Sequence, residues 1–172
     1  MENIKFIQIY KNDTDLYNKI LPLWIHYSDN IIWGEDEKPT REESIKNLNR
    51  RINIQGNRPD MHFEVVFSND TPIGFANFAI DQGTLYGQFE PGYGCIAEFY
   101  IIPEFRRKGY GKLLCRHIEK TLKNDGAKRI YASPNHGIAE IFWQTMGYED
   151  HGNVDPDNNL PVYVKSIVIP HL

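Results

Sequence analysis

Several stretches of the chain alternate apolar and polar residues, and a period of two is typical of half-buried β-strands. One stretch, CIAEFYII, is almost continuously apolar, which indicates a central strand covered on both faces. Two others are separated by the turn-like pair Asn69-Asp70 and are predicted to form a hairpin. The strands predicted from these patterns cover residues 4–10, 62–68, 72–80, 95–102, 129–133 and 160–169.

Two helices are predicted between the first strand and the hairpin. The first runs through the segment LYNKILPLWIHYSDN, with Asp13 or Thr14 as its capping residue and Pro22 as a point where it is expected to kink or to start late. The second covers 41–53, because Thr40 followed three residues later by Glu43 has the pattern of a capping box.

Two further helices are predicted from apolar stripes with helical spacing, at 110–123 and 138–146. Each stripe is followed by a glycine, Gly126 or Gly147, and glycine is common just past the C-terminus of a helix. The predicted order of elements is therefore β-α-α-β-β-β-α-β-α-β. Such an order indicates a mixed β-sheet flanked by helices, of the α/β or α+β class.

The chain has the length of one domain and the composition of a soluble globular protein. It contains 172 residues, of which 41% are hydrophobic, 24% charged and 13% aromatic. No repeat, linker or low-complexity segment divides it, so residues 1–172 are predicted to form a single domain. No apolar run approaches the roughly 20 residues that span a bilayer, and the first residues, MENIKFIQIY, lack the apolar region of a signal peptide.

Charge and cysteine content argue against several classes of function. The formal net charge of −4 disfavours general affinity for nucleic acid, which needs many cations on one face. Cys95 and Cys115 have neither metal nor redox spacing, so we expect small core residues and a protein of the reducing cytoplasm, with no membrane partner. The histidines show no metal-ligand spacing, and no metal is expected.

A cluster of positive charge interrupts this acidic chain where a predicted strand gives way to a predicted helix. The segment PEFRRKGYGK places four cations around two glycines: Arg106, Arg107, Lys108, Lys112, Gly109 and Gly111. The N-terminus of a helix presents unpaired backbone N–H groups and a partial positive charge, so it attracts phosphate. The two glycines carry no Cβ to hold a diphosphate away from those amides. The alternative is a basic turn whose glycines only ease the bend.

Two other glycine motifs do not fit this segment. A dinucleotide-binding fingerprint needs a third glycine where Leu114 stands. A P-loop needs a glycine where Arg106 stands and a hydroxyl residue where Leu113 stands.

The pattern R-x-x-G-x-G at 106–111, after a strand ending in Ile-Ile-Pro-Glu, resembles the acyl-CoA-binding motif of the GNAT N-acetyltransferase superfamily. A second segment, HGIAEIFWQTMGY at 136–148, is similar to that family's N-x-x-A-x-x-x-Y-x-x-x-G-F segment. One helix and one strand separate the two segments, as in the family. The predicted order of elements also matches, so the resemblance covers nearly the whole chain.

Two positions of the second segment depart from the family pattern. His136 stands where the family usually has Asn, with Asn135 one position earlier, and Trp143 occupies the place of the Tyr that often protonates the leaving thiolate. Some family members also carry Phe-Trp there. Asn135 is a candidate for hydrogen bonds to the pantetheine amides or, alternatively, part of a turn after Pro134. Trp143 is a candidate for packing against the cofactor arm or for filling the core.

The resemblance implies transfer of an acetyl group from acetyl-CoA to an amine, by direct attack in a ternary complex. It implies that hydrogen-bond donors for the thioester carbonyl come from the main chain around Phe99, Tyr100 and Ile101. Glu98 is the candidate general base, and the alternative is that strand alternation turns Glu98 away from the cleft to pair with a basic residue. The cofactor-binding segment would comprise Arg106, Arg107, Lys108, Gly109, Tyr110, Gly111 and Lys112.

The acceptor is expected to be a primary amine of a small molecule or peptide. By analogy with the family, the stretch 24–37 helps to form its cleft, where Glu35, Asp36 and Glu37 either attract a cationic amine or form a solvated acidic loop. The stretch YGQFEPGY is expected beside the same cleft as a loop or irregular strand.

Two other functions stay open at this point. One is a non-catalytic acyl-CoA-binding regulatory or interaction module of the same fold, suggested by Trp143. The other is a nucleic-acid binder that uses Arg106, Arg107, Lys108 and Arg116, which the acidic total disfavours. We expect a monomer or a homodimer.

Overall fold

The structure, a computed structural model, describes residues 3–31, 38–83, 91–135 and 137–167. In that part of the chain the helices are α1 (Thr14–Asn30), α2 (Arg41–Asn53), α3 (Tyr110–Asn124) and α4 (Ile138–Thr145). The strands are β1 (Ile4–Gln8), β2 (Met61–Ser68), β3 (Thr71–Ile80), β4 (Gly94–Ile101), β5 (Arg129–Ala132), β6 (Glu149–Val154) and β7 (Pro161–Ser166).

The strands form one mixed sheet in the order β1-β2-β3-β4-β5-β7-β6. β1 runs antiparallel to β2, and β7 runs antiparallel to both β5 and β6. β4 and β5 are parallel, and their register runs from Gly94 opposite Ile130 to Ile96 opposite Ala132. This architecture confirms the predicted class, a mixed β-sheet flanked by helices.

The helix boundaries follow the capping signals in the sequence. Asp13 is the N-cap of α1, and its carboxylate accepts a hydrogen bond from Leu16 N at 3.0 Å. The predicted capping box of α2 is present, since Glu43 N donates to Thr40 Oγ1 and Thr40 N donates to the Glu43 carboxylate. Pro22 lies inside α1 and does not delay its start.

One strand was not predicted, because its residues carry no apolar period. β6 has the sequence EDHGNV, and all six of its residues are exposed at the edge of the sheet. It pairs with β7 through a turn in which Asp155 N donates to Leu160 O at 2.8 Å. A polar edge strand buries no face, so only its partner strand was visible in the pattern.

The chain folds into two compact units. The first unit comprises Met1–Asn77 and Glu98–Gly111, and its core packs aliphatic residues of α1 and α2 against aromatic rings of β2, β3 and β4. The second comprises Phe78–Ala97 and Lys112–Leu172, and its buried residues include both cysteines, as expected for small core residues. The prediction of a single domain over 1–172 stays a prediction.

Candidate active site

The chain turns sharply between β4 and α3. Pro103 opens a 3₁₀ turn, Pro103–Phe105, in which Phe105 N donates to Ile102 O at 3.0 Å and Arg106 N donates to Pro103 O at 3.1 Å. Proline suits the first position of a helical turn because its φ is already fixed and no N–H is required there. Residues 106–109, which we call the basic loop, join this turn to the first residue of α3.

The backbone of the basic loop enters the left-handed region twice. Arg107 has φ +62° and Gly109 has φ +91°. A residue with a Cβ adopts such a conformation at a cost of about 1–2 kcal/mol, whereas glycine adopts it freely. A Cβ built on Gly109 would meet no heavy atom within 4 Å in the described chain, so the space beside this backbone is open.

The amides of the basic loop are available for a ligand. In the described part of the chain, the backbone N–H groups of Arg107, Lys108 and Gly109 donate to no other residue. Unpaired amides beside the start of a helix are the arrangement that binds phosphate groups in many proteins.

Two cations of the basic loop are held by aromatic rings of the first unit. Arg106 donates from Nε to Ile101 O at 2.7 Å, and its guanidinium carbon lies 5.5 Å from the centre of the Tyr100 ring. Lys108 Nζ lies 5.2 Å from the centre of the Phe105 ring. These contacts orient positive charge without neutralising it.

The first turn of α3 is anchored by Tyr110. Its ring is buried at 5.7 Å from the Phe105 ring, and its hydroxyl lies 3.5 Å from Ser68 Oγ. Tyr110 therefore contributes its side chain to the core and only its backbone to the loop surface. Gly111 is half-buried and Lys112 is exposed in the same turn.

Together these features fit the diphosphate of a CoA molecule. They combine three unpaired amides, open space at Gly109 and cationic side chains at the positive end of α3. The sequence-predicted residues from Arg106 to Gly111 are brought together here, and Lys112 follows directly in the helix. Their role in binding acetyl-CoA stays a prediction.

The predicted donors for a thioester carbonyl lie at the end of β4. Phe99, Tyr100 and Ile101 follow the residues at which β4 is in register with β5, because that pairing stops at Ile96. The Ile101 carbonyl oxygen also accepts a hydrogen bond from Arg106 Nε. The action of these residues as donors to a thioester carbonyl stays a prediction.

Glu98, the candidate general base, is buried with 6% of its surface exposed and is paired with a cation. Its Oε1 lies 2.6 Å from Arg51 Nη2 and accepts a hydrogen bond from Arg51 Nε at 2.7 Å. Its Oε2 accepts from Asn77 Nδ2 at 2.7 Å. The pairing considered as the alternative role for Glu98 is therefore present, and the role as base stays a prediction.

Sequence reasoning overlooked a second polar pair beside Glu98. His26 of α1 and Tyr100 of β4 share a hydrogen bond between Nδ1 and the phenol oxygen. Burial raises the pKa of the Tyr100 phenol, and the nearby Arg106 guanidinium partly opposes this effect. Nothing in the sequence singles out His26, because the histidines show no metal-ligand spacing. The period of α1 places it close to the inner face but cannot show which strand residue it meets.

Asn135 and Trp143 belong to the second unit. Asn135 is half-buried, in the segment between β5 and α4. Trp143 is buried in α4, with 5% exposed, and packs edge-on at 4.9 Å against the ring of Tyr148. This packing agrees with the core-filling alternative for Trp143, while the predicted contacts of both residues with the cofactor stay predictions.

Some predicted features lie outside the described residues. They are the acidic group Glu35, Asp36 and Glu37, most of the stretch YGQFEPGY, and His136. Within the described ranges, no group of three or more His, Cys, Asp or Glu side chains could hold a metal ion. In the same ranges, no helix is both long enough and apolar enough to cross a bilayer.

Comparison with known proteins identifies similar sequences and folds. The family model of the Acetyltransferase (GNAT) family matches residues 23–148. A search of curated proteins gives no match.

Three solved structures illustrate the likeness of fold. An acetyltransferase from Thermus thermophilus is 19% identical, with 97% of this chain and 100% of that chain covered and a TM-score of 0.69. The PaiA N-acetyltransferase from Thermoplasma acidophilum, in complex with coenzyme A, is 20% identical, with 95% and 99% covered and a TM-score of 0.69. An aminoglycoside N-acetyltransferase, AAC(6')-Iy, in complex with CoA, is 15% identical, with 90% and 93% covered and a TM-score of 0.64. At these identities the likeness concerns the fold.

Proposed function

The chain belongs to the acetyltransferase (GNAT) family, and from this premise we propose that it transfers an acetyl group from acetyl-CoA to a primary amine of a small molecule or peptide. The attack is direct, in a ternary complex. The observation that carries the proposal is the basic loop, where unpaired amides and the open space at Gly109 lie at the start of α3. Two solved proteins of the same fold were crystallised with CoA, which supports CoA as the ligand class.

In this proposal the candidate cofactor-binding residues have different tasks. The amides of residues 107–109 would donate to the diphosphate, while Arg106, Arg107, Lys108 and Lys112 attract it over a longer range. Gly109 and Gly111 let the phosphates approach the backbone. In this proposal Asn135 and Trp143 serve the pantetheine arm.

Acetyl-CoA supplies an acyl group on a thiol whose pKa is ordinarily about 8.5, so the thiolate is already a fair leaving group. The amides of Phe99 to Ile101 would donate to the carbonyl oxygen as negative charge develops there. A missing acid at the position of Trp143 would lower the rate by about 10²- to 10⁴-fold and would not abolish the reaction.

The attacking amine must lose a proton. An alkyl amine with a pKa of about 10.4 is neutral in only about 0.04% of molecules at pH 7, a cost of roughly 4.6 kcal/mol. Glu98 is the acceptor predicted from the sequence. A carboxylate has about four acceptor positions, and three donor contacts already occupy Glu98.

The proposal is tested by measuring CoA release from acetyl-CoA with a panel of polyamines, aminoglycosides, amino acids and peptides. The expected result is release that depends on one amine class, with a mass increase of one acetyl group on that amine. CoA release in the absence of an amine measures the background hydrolysis of acetyl-CoA. Absence of any amine-dependent release across the panel would overturn the proposal.

A non-catalytic acyl-CoA-binding module is the second candidate. Two observations favour it: Trp143 has no acidic hydroxyl and is packed in the core, and Glu98 is engaged with Arg51. Calorimetry with CoA and acetyl-CoA separates the candidates. Tight binding without transfer to any amine favours the module, whereas binding together with turnover favours the enzyme.

A further inference from the structure

The pair formed by His26 and Tyr100 connects a buried position on β4 with an exposed position on α1. Tyr100 is 6% exposed, whereas His26 is exposed to solvent. Nδ1 of His26 and the phenol oxygen of Tyr100 are hydrogen-bonded, so a proton can pass between them without movement of either backbone. Tyr100 lies two residues after Glu98 on the same strand, and therefore on the same face.

The surroundings of the pair fix the position of the phenol. The Tyr100 ring packs at 5.3 Å from the Tyr27 ring and at 5.5 Å from the Phe75 ring, while the Arg106 guanidinium lies over it. Arg106 is also the first residue of the basic loop, and its Nε is bonded to Ile101 O. The phenol is thus positioned by the same side chain that joins the basic loop to the end of β4.

We propose that Tyr100 and His26 form a proton relay that carries the proton of the acceptor amine from the reaction centre to solvent. This inference rests on the proposed acetyltransferase function. It assigns Tyr100 as a catalytic residue, which contacts the amine, and His26 as a positioning and proton-accepting residue that acts through Tyr100.

The step balances without a phenolate. An N–H bond of the ammonium form of the acceptor breaks and its proton goes to the Tyr100 oxygen, while the original phenol proton goes to His26 Nδ1. The neutral amine then bonds to the acetyl carbon as the C–S bond of acetyl-CoA breaks, and the CoA thiolate takes the second proton of the amine nitrogen. Tyr100 ends as a phenol, and His26 becomes an imidazolium. His26 then releases one proton to water, and proton exchange with water returns the ring to the tautomer that carries its proton on Nε2, so the net result is transfer of one proton from the amine to solvent. The required starting tautomer of His26 has its proton on Nε2 and a free Nδ1.

The other candidate acceptor is less accessible. Arg51 and Asn77 already donate three contacts to the Glu98 carboxylate, and a proton taken up there would have to replace part of this pairing. Burial keeps the pKa of Tyr100 above its ordinary value, which agrees with a phenol that remains protonated before and after the step.

Several charged groups face the relay from the elements around it. On α1, the Asp29 carboxylate interacts with His26 and with Lys38, and the lysine lowers the pKa of Asp29. From the segment after β4, Arg106 and Glu104 act on Tyr100 with opposite sign. The relay is thus surrounded by charged groups of both signs.

The relay is tested with three variants and a matched control. Tyr100→Phe and His26→Gln each keep the size of the side chain but cannot pass a proton, and we expect kcat/KM to fall by about 10²-fold or more. Calorimetric affinity for CoA is expected to stay unchanged, which shows that the fold and the basic loop are intact. His26→Ala, with its exposed site, is expected to regain activity when imidazole is added. His151→Gln, an exposed histidine of β6, is the control and should leave the pH profile unchanged.

The pH profile separates the relay from Glu98. A changed pH profile in His26→Gln supports the relay, whereas an unchanged profile in both His26→Gln and Tyr100→Phe overturns it and leaves the acetyltransferase proposal standing. Glu98→Gln would lower turnover chiefly at lower pH if the carboxylate were the acceptor, and that result together with unaltered relay variants assigns the role to Glu98. An unmodified protein that acetylates no amine overturns both proposals.

A measurement that needs no turnover checks the tautomer. In ¹⁵N-histidine NMR spectra of the unmodified protein, we expect Nδ1 of His26 to carry no proton when the imidazole ring is neutral. We expect the chemical shift of this nitrogen to change in Tyr100→Phe. A proton found on Nδ1 in the neutral ring would mean that His26 donates to Tyr100, and this would overturn the proposed direction of transfer.

Discussion

Arg51 and Glu98 form a charge pair in which two nitrogens of one guanidinium contact one carboxylate oxygen, at 2.6 and 2.7 Å. The guanidinium also lies over the ring of Trp24, at 5.0 Å from its centre. Asn77 donates to the second oxygen. The pair therefore links α2, β3 and β4 through one buried carboxylate in the first unit.

Removal of Arg51 is expected to destabilise the protein strongly. Arg51→Met leaves the Glu98 carboxylate buried without its cation, and breaking a buried pair from one side costs about 3–5 kcal/mol in the free energy of unfolding. Arg50→Met, at the exposed neighbouring position of α2, is the control and should change that free energy by no more than about 0.5 kcal/mol. Urea unfolding followed by circular dichroism measures both. Equal effects of the two substitutions on the free energy of unfolding would show that the Arg51–Glu98 pair stabilises the fold no more than the exposed Arg50 does.

Two buried tyrosines of the second unit are expected to respond oppositely to loss of the hydroxyl. Tyr131 donates its hydroxyl to Asp81 Oδ2 at 2.8 Å, and Asp81 is fully buried. Burial, followed by the nearby Cys115 and Glu119, raises the pKa of Tyr148, whose hydroxyl makes no hydrogen bond of normal geometry in the described chain. Tyr131→Phe should cost about 1–3 kcal/mol of unfolding free energy, while Tyr148→Phe should be neutral or stabilising. Thermal unfolding of the two variants side by side checks this, and a larger loss in Tyr148→Phe would contradict it.

An element of the fold could be predicted where its residues show an apolar period or a local capping or turn signal. The caps at Asp13 and Thr40 and the turn at Asn69 appear as predicted because they depend on side chains that act on their own neighbouring backbone. β6 was missed because a fully exposed edge strand has no apolar face. Its existence depends on pairing with β7, which is a contact and not a local preference.

The same distinction, between local features and long-range contacts, applies to the candidate site. The basic loop was predictable because its glycines and cations are contiguous in sequence and act through the backbone. The partners of Glu98 and Tyr100 were not, since Arg51 and His26 lie 47 and 74 residues away in sequence. Alternation along β4 placed both side chains on one face, but only the packing of α1 and α2 decides which polar groups they meet.

The capping box of α2 is expected to give a pH-dependent contribution to stability. The backbone N–H of Thr40, followed by its hydroxyl, lowers the pKa of Glu43 below its ordinary value of 4.5. A carboxyl whose pKa is depressed in the folded state stabilises that state above its unfolded pKa, and this contribution is lost as pH falls through the folded pKa. Glu43→Gln should therefore unfold more easily than the unmodified protein at pH 6, and the difference should disappear well below pH 4.5.

Glu42→Gln is the control for that experiment, since Glu42 lies in the same first turn but makes no hydrogen bond to the cap within the described residues. Urea midpoints at several pH values give the comparison. A constant difference between Glu43→Gln and the unmodified protein at all pH values would exclude the charge of Glu43 as its source.

Substitution of two glycines that have similar backbone conformations distinguishes the effect of backbone strain from an effect on cofactor binding. Gly109 in the basic loop has φ +91° and Gly126 after α3 has φ +102°, and a Cβ at either position would meet no atom within 4 Å in the described chain. Alanine at each should therefore cost a similar unfolding free energy, about 1–2 kcal/mol. Only Gly109→Ala places a methyl group beside the unpaired amides, where it would hold a diphosphate away from one or two charge-assisted hydrogen bonds. We expect it to weaken CoA binding by about 10- to 100-fold, or 1.4 to 2.8 kcal/mol, with Gly126→Ala unchanged. Calorimetry with CoA measures the difference, and equal affinities in the two variants would mean that the phosphates do not approach the backbone at Gly109.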